Sequence, residues 1–201
     1  PEKRRDRVLT PNEIQAVWKA LSTENDSIRH VFGILLHTGQ RPNEVLSMEW
    51  RDLDLDSGWW KIPANKTKNG LSHRVPIQNF VYNILHSRKD NKSTWVFPNL
   101  QGREGHMINI YKAKRRIENH TGIFFNVYDF RRTVASMMTS FGISRLVVSK
   151  ILNHVERGIT SVYDRHSYDA DKVAALSMWE TRLGMIFSDL RAVTNTARVG
   201  Q

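Results

Sequence analysis

Cysteine is missing from the 201-residue chain altogether. Its absence excludes disulfides, thiolate metal sites and a cysteine nucleophile, and it fits a reducing compartment without demanding one. Acid is scarce too: twenty Asp and Glu face thirty Lys and Arg, leaving a net charge of +10 and a sequence pI near 10.1. That imbalance points to a polyanionic partner. No apolar run approaches the length of a membrane-spanning helix, and there is no internal repeat or low-complexity stretch. Grouped carboxylates or histidines able to hold a divalent ion are also lacking. Asp52, Asp54 and Asp56 alternate along one short stretch and read as a solvated strand edge. Neither a metal nor a cofactor is expected.

What is present is enough apolar sequence, 40% of residues, for one large domain with a core. Thr10-Pro11-Asn12-Glu13 reads as an N-cap, a proline in the first turn and a capping-box glutamate, ahead of a stripe of Ile14, Val17, Trp18 and Leu21. Ile28, Val31, Phe32 and Leu35 repeat the spacing in a second helix that runs to Thr38-Gly39. Leu53 and Leu55, then Trp59 to Ile62, predict two antiparallel strands around Ser57-Gly58. A third strand, His73 to Ile77, follows an Asn69-Gly70 hairpin signal.

Beyond the sheet, Val81, Ile84 and Leu85 suggest a helix, and Trp95-Val96-Phe97-Pro98 a short buried segment stopped by proline. Met107 to Glu118 predicts a helix with Ile108, Tyr111 and Ile117 on its apolar side. Lys112, Lys114, Arg115 and Arg116 form its basic side, a candidate track for DNA phosphates. A long helix buries Val127, Val134, Met137, Met138 and Phe141 and closes at Gly142. Ser144 caps the next, with Leu146, Val147 and Ile151 as its apolar face. The predicted fold is therefore mixed α/β, mainly helical, with a small three-stranded antiparallel sheet.

Two local patterns carry the chemistry. In Thr38-Gly39-Gln40-Arg41-Pro42-Asn43-Glu44-Val45-Leu46, a glycine turn delivers Arg41 to a helix opened by proline, beside backbone N–H groups that favour an anion. Glu44 reads as structural, orienting Arg41. The second pattern is Leu152-Asn153-His154, with Tyr163 nine residues after the histidine. Between the two lie Lys68 and Asp129-Phe130-Arg131-Arg132-Thr133.

In this order, the elements resemble the catalytic domain of tyrosine recombinases of the phage and genomic-island integrase type, from about Leu9 to about Leu183. The resemblance implies residues 1–8 as a linker from a helical N-terminal DNA-binding domain and residues 9–187 as the catalytic domain, while the polar, small residues of 188–201 read as a disordered tail. It also implies a cytoplasmic, nucleoid-associated enzyme, encoded by a bacterium or phage. The partners implied are double-stranded DNA attachment sites, a homotetramer on DNA and accessory DNA-bending proteins, with no membrane. In the family a catalytic lysine sits on a hairpin eight residues before a proline ending the third strand. Pro76 then selects Lys68, in preference to its neighbour Lys66, which is kept as a DNA-binding candidate together with Arg132. The segment from Ala170 to Phe187, with Val173, Leu176, Trp179 and Leu183, is expected to pack on a neighbouring protomer or on its own domain.

The roles that follow are specific. Attack at phosphorus builds charge on the nonbridging oxygens, and the planar forks of Arg41 and Arg131 suit two oxygens at once. Tyr163 is the expected nucleophile, with a phenol pKa of about 10 that nearby cations must offset. Tyr168 is a rival at a longer spacing. The resemblance makes the product a 3'-phosphotyrosyl link with a free 5' hydroxyl, and Lys68 the acid that protonates the leaving oxygen. His154 donates to or positions the phosphate. One departure stands out: where the family has a histidine three residues before the second arginine, this chain has Tyr128. Tyrosine donates a hydrogen bond but is a poor base at neutral pH, so slower activity is expected, with His154 or water taking the proton. The alternatives are a catalytically impaired DNA-binding module of the same fold, a type IB topoisomerase and a metal-dependent nuclease.

Overall fold

Thr10 and Glu13 begin the fold as the capping pattern requires: the Glu13 carboxylate accepts from the Thr10 N–H at 2.9 Å, and the Thr10 hydroxyl accepts from the Glu13 N–H at 3.3 Å. A computed structural model describes residues 6–89, 92–99, 101–154 and 168–196, with side chains described to 188. The elements are α1 (Pro11–Leu21), α2 (Asp26–Thr38), α3 (Pro42–Leu46), β1 (Leu53–Asp54), β2 (Trp59–Ile62), β3 (His73–Pro76), α4 (Asn79–Ser87), α5 (Tyr111–Thr121), α6 (Val127–Ser140), α7 (Arg145–Ile151) and α8 (Asp169–Thr196). The strands form one antiparallel sheet in the order β1-β2-β3, with Leu53 opposite Trp60 and Ile62 opposite His73.

Helix α2 runs through the centre because nearly every side of it is apolar. Val31, Phe32, Ile34 and Leu35 are buried, and Phe32 meets Phe130 of α6 edge-on, ring centres 5.6 Å apart. At its end Gly39 takes φ +65, and a Cβ there would meet Leu152 Cδ2 at 2.9 Å and Val134 Cγ1 at 3.1 Å. Glycine is thus required twice over, by backbone conformation and by the close approach of α6 and α7. That contact draws the Arg41 turn, the Arg131 helix and the end of α7 into one corner.

Helix α8 packs on its own domain. Trp179 is fully buried and its indole N–H donates to the Leu36 carbonyl at 2.8 Å. Gln15 donates to the Ile186 carbonyl at 2.9 Å, and Glu180 accepts from the Phe80 N–H at 2.6 Å. Val173, assigned to the apolar face, is exposed. The helix continues to Thr196, past the tail boundary expected at 188.

Several local expectations need correction. The Asn69-Gly70 signal does not make a two-residue hairpin. Ile62 pairs with His73, so residues 63–72 form a longer loop containing a 3-10 turn at Ala64–Lys66. The first strand is only Leu53–Asp54, because Asp52 belongs to a 3-10 turn and Asp54 accepts from the Ser57 N–H at 3.0 Å. The basic helix starts at Tyr111, not Met107, and Ile108 and Tyr111 are exposed, while Ile110, Ala113 and Ile117 are buried. On α7 the buried face is Val148 and Ile151, with Leu146 exposed.

Candidate active site

The corner made by α3, α6 and the end of α7 opens into a cleft of about 720 Å³ lined by Arg41, Glu44, Lys66, Lys68, Tyr128, Arg131, Arg132 and His154 among others. Five of the six residues expected to be catalytic therefore share one cavity. The sixth, Tyr163, lies outside the described residues.

Arg41 is the N-cap of α3. Its guanidinium pairs with Glu44 Oε1 at 2.8 Å, and its own N–H donates to Glu44 Oε2 at 2.8 Å. The backbone N–H expected to face an anion is thus taken by Glu44. That carboxylate is buried, so its charge is compensated by the arginine it orients.

Arg131 enters from the first turns of α6, which is started by Asn126: its side chain accepts from the Tyr128 N–H at 3.0 Å, while Asp129 accepts from the Asn126 N–H at 2.6 Å. Arg131 is 9% exposed. One Nη donates to the Gly39 carbonyl at 3.0 Å and the other to the Leu152 carbonyl, stitching the glycine turn to the end of α7. Burial first, and then Arg41, pushes its pKa down to about 10, with Glu44 opposing. It remains a cation at neutral pH.

Beneath the arginines lies a polar pair that the sequence reading missed. Gln40 is buried, and its amide donates to the carbonyls of Thr38 and Ile151 at 2.9 and 3.0 Å. Its oxygen faces His73 Nε2 at 3.1 Å, so the hydrogen of that imidazole sits on Nε2. His73 Nδ1 is buried and has no hydrogen-bond partner among the described residues. Burial, followed by Lys172, Arg131 and Arg41, pushes the His73 pKa down to about 3. The only sequence signal was Gln40's place inside the arginine turn; nothing local marked its link to His73, 33 residues away.

At the mouth, His154 reaches solvent, yet its pKa is lowered, by partial burial of its ring first and then by Arg131 and Arg41. It is a neutral imidazole at neutral pH, able to donate from one nitrogen and accept at the other. Tyr128 is 41% exposed and its phenol is among the groups acting on Arg131. Lys68 is exposed on the β2–β3 loop, with no hydrogen bond or ion pair among the described residues.

The other basic candidates divide. Lys66 is held by Glu49 at 2.8 Å and Asp52 at 2.6 Å, donates to the Ser47 carbonyl at 2.9 Å, and lies 5.4 Å from the Trp95 ring centre. Its charge is spent inside the protein, and burial of Glu49, which alone would raise that carboxyl's pKa, is outweighed by Lys66 and Arg51. Lys66 nevertheless lines the cleft, and Asp52 is its counter-ion, not part of a solvated edge. Arg132 pairs with Asp129 at 2.6 Å but lines the cleft. On α5, Lys114 pairs with Glu118 at 2.7 Å and Arg116 with Glu24 at 2.5 Å. Lys112 and Arg115 are exposed on the same helix, and none of these four lines the cleft. Tyr168, the rival nucleophile, does not line it either; Lys150 Nζ stands 4.9 Å from its ring centre.

The pattern of the phage integrase family matches residues 7–170. Among characterised proteins, the tyrosine recombinase XerA of Saccharolobus solfataricus is 28% identical over 166 residues, 81% of this chain and 54% of that protein. The prophage integrase IntA of Escherichia coli is 22% identical, over 89% of this chain and 45% of its own length. The chain thus spans about half the length of these relatives. A crystal structure of a lambda integrase dimer bound to a COC' core site superposes with a TM-score of 0.60 at 18% identity, covering 78% of this chain and 60% of that one.

Among the described residues no helix is long and apolar enough to cross a membrane.

Proposed function

The chain belongs to the phage integrase family, and on that premise we propose that it cleaves and rejoins duplex DNA as a site-specific recombinase, through a covalent 3'-phosphotyrosyl link at Tyr163. The observation that carries this reading is the convergence of Arg41, Arg131, Tyr128, Lys68 and His154 on one cleft. The two guanidiniums bind the nonbridging oxygens and stabilise the charge that develops as phosphorus is attacked. Arg41 is aimed by Glu44 and Arg131 by two backbone carbonyls, so little reorganisation is needed at that moment.

The Tyr163 oxygen forms its bond to phosphorus as the bond to the 5' oxygen breaks. His154, neutral and beside the arginines, accepts the phenol proton. Lys68 gives a proton to the departing 5' oxygen. Tyr128 donates its phenolic hydrogen to a nonbridging oxygen, where a base is not needed if His154 takes the proton. The phosphotyrosyl bond keeps the energy of the broken phosphodiester, so a second 5' hydroxyl reverses the step and joins the strand without a nucleotide triphosphate.

In the whole protein, residues 9–187 serve as the catalytic domain, with a DNA-binding domain preceding the linker at 1–8, and four copies assemble on paired attachment sites to integrate or excise a mobile element. The net charge of +10 supports the DNA partner, as does the lambda integrase structure, a dimer on its core site. Arg132 inside the cleft, and Lys112 and Arg115 outside it, are the candidates for backbone contacts.

The test is a denaturing gel for a protein–DNA adduct on nicked duplexes from the boundary of the encoding element, in EDTA. An adduct that forms without divalent metal and disappears in Tyr163→Phe, with DNA binding retained, is the expected result. Cleavage that requires the metal would overturn the reading, and relaxation of supercoiled DNA without paired sites would redirect it to a topoisomerase.

A further inference from the structure

Two asparagines join the Lys68 loop to the His154 corner. Asn69 Nδ2 donates to the Asn153 carbonyl at 2.9 Å, and Asn153 Nδ2 donates back to Asn69 Oδ1 at 3.2 Å and to the Leu71 carbonyl at 3.0 Å. Asn69 Oδ1 also accepts from the Leu71 N–H at 3.1 Å. One amide therefore closes the loop tip and grips the end of α7 together. Asn153 holds φ +50, a left-handed conformation that asparagine adopts more readily than most residues, though less readily than glycine. An asparagine is thus used where glycine would fit the backbone better, and what it adds is the side chain that reaches the loop. Lys68 immediately precedes Asn69, and His154 immediately follows Asn153.

We infer that the Asn69–Asn153 clasp is a positioning device that sets Lys68 against the scissile phosphate for protonation of the 5' oxygen. The inference rests on the reading of Lys68 as that acid. The loop between Ile62 and His73 is long, and Lys68 itself has no partner among the described residues that would hold it, so the clasp is the nearest fixed point in sequence.

The chemistry offers a selective readout. When the P–O5' bond breaks, its electron pair stays on O5', which needs the lysine proton. With sulfur in place of that bridging oxygen, the pair leaves on a thiolate, and because a thiol is far more acidic than an alcohol (cysteine's pKa is about 8.5) it departs without a proton. A residue acting only through Lys68 therefore matters for the oxygen substrate and not for the sulfur one.

Single-turnover cleavage is measured with the full-length protein on nicked attachment-site duplexes carrying either 5' oxygen or 5' sulfur. The variants are Asn153→Gly, which keeps the left-handed backbone, Asn69→Ala, their combination, and Lys68→Ala. Each asparagine variant is expected to slow the oxygen substrate by about 10- to 100-fold and the sulfur substrate by less than about threefold, with the combination no slower than the worse single change. Equal slowing on both substrates, or no slowing on either, overturns the clasp. If Lys68→Ala is selective for oxygen while the asparagine variants are not, the clasp alone fails. If Lys68→Ala slows both substrates equally, the acid reading of Lys68 fails and the clasp falls with it.

Discussion

The arginine floor of the cleft and the loop that carries Lys68 differ in how much of their geometry the protein supplies before DNA arrives. Arg131 spends two donors on the Gly39 and Leu152 carbonyls, and Arg41 is held by Glu44 at 2.8 Å. Lys68, by contrast, stands exposed at a loop tip with no side-chain partner of its own among the described residues, beside the clasped Asn69. Charge that must be present throughout the reaction is built into the core, where it also holds the fold together. The proton donor, needed only as the leaving oxygen departs, is kept outside it. In the floor, stability and activity are therefore coupled; on the loop they are separable.

The most damaging change should be Arg131→Ala. It leaves two buried carbonyls unpaired and removes a phosphate ligand, so cleavage should fall by about 10²–10³-fold and stability by on the order of 3 kcal/mol, read by single-turnover assay and urea unfolding. Lys68→Ala tests the other half. Cleavage should drop by about 10²-fold while the melting temperature stays where it was, and a clear loss of stability would break the comparison. Glu44→Gln sits between them: Arg41 keeps one of its two side-chain acceptors and loses its counter-charge, and a decrease of about tenfold in cleavage with a lower melting temperature is expected.

A pH titration sharpens the same contrast from the stability side. His37 donates to the Gly33 carbonyl and stacks on Phe80, and burial pushes its pKa down to about 4; His73, under the arginines, is pushed to about 3. Their folded pKa values lie below the unfolded value near 6.5, so the unfolded chain binds more protons as pH falls. Stability should be full above pH 6.5 and decline toward pH 4, by roughly 2 kcal/mol for each of the two histidines at pH 5. Melting curves at pH 7.5 and 5 check this, and His37→Phe should reduce the difference. The smallest effect is expected at the rim. Tyr128→His should leave cleavage unchanged or raise it by up to about tenfold, whereas a large loss would give the tyrosine a role that histidine cannot fill.

The sequence was most informative where chemistry depends on local order. The capping box at Thr10, the Gly39-to-Glu44 turn, the α6 start before Arg131 and the apolar stripe of α2 are short-range patterns, and each appears in the structure where the residues put it. Contacts between distant residues were not legible. Lys66 looked as available as Lys68 because nothing local shows Glu49 and Asp52 closing on it. Gln40 and His73 were missed for the same reason, and Asn69 was read for its turn propensity alone, although its side chain ties the loop to Asn153. The basic stretch after Met107 misled because alternating charge and apolar residues fix a helix face only once the helix start is known, and that start is Tyr111.

The nucleophile is the claim on which the cleft's whole arrangement depends, and the sequence makes it directly measurable. Trypsin cuts after Arg157, Arg165 and Lys172, placing Tyr163 and Tyr168 in separate peptides. A covalent adduct trapped on a nicked attachment-site duplex, digested with nuclease and trypsin, is analysed by mass spectrometry for a nucleotide remnant. A 3'-phosphonucleotide on Tyr163 within the Gly158–Arg165 peptide is the expected result. A remnant on Tyr168, or on a residue outside both peptides, would contradict the account.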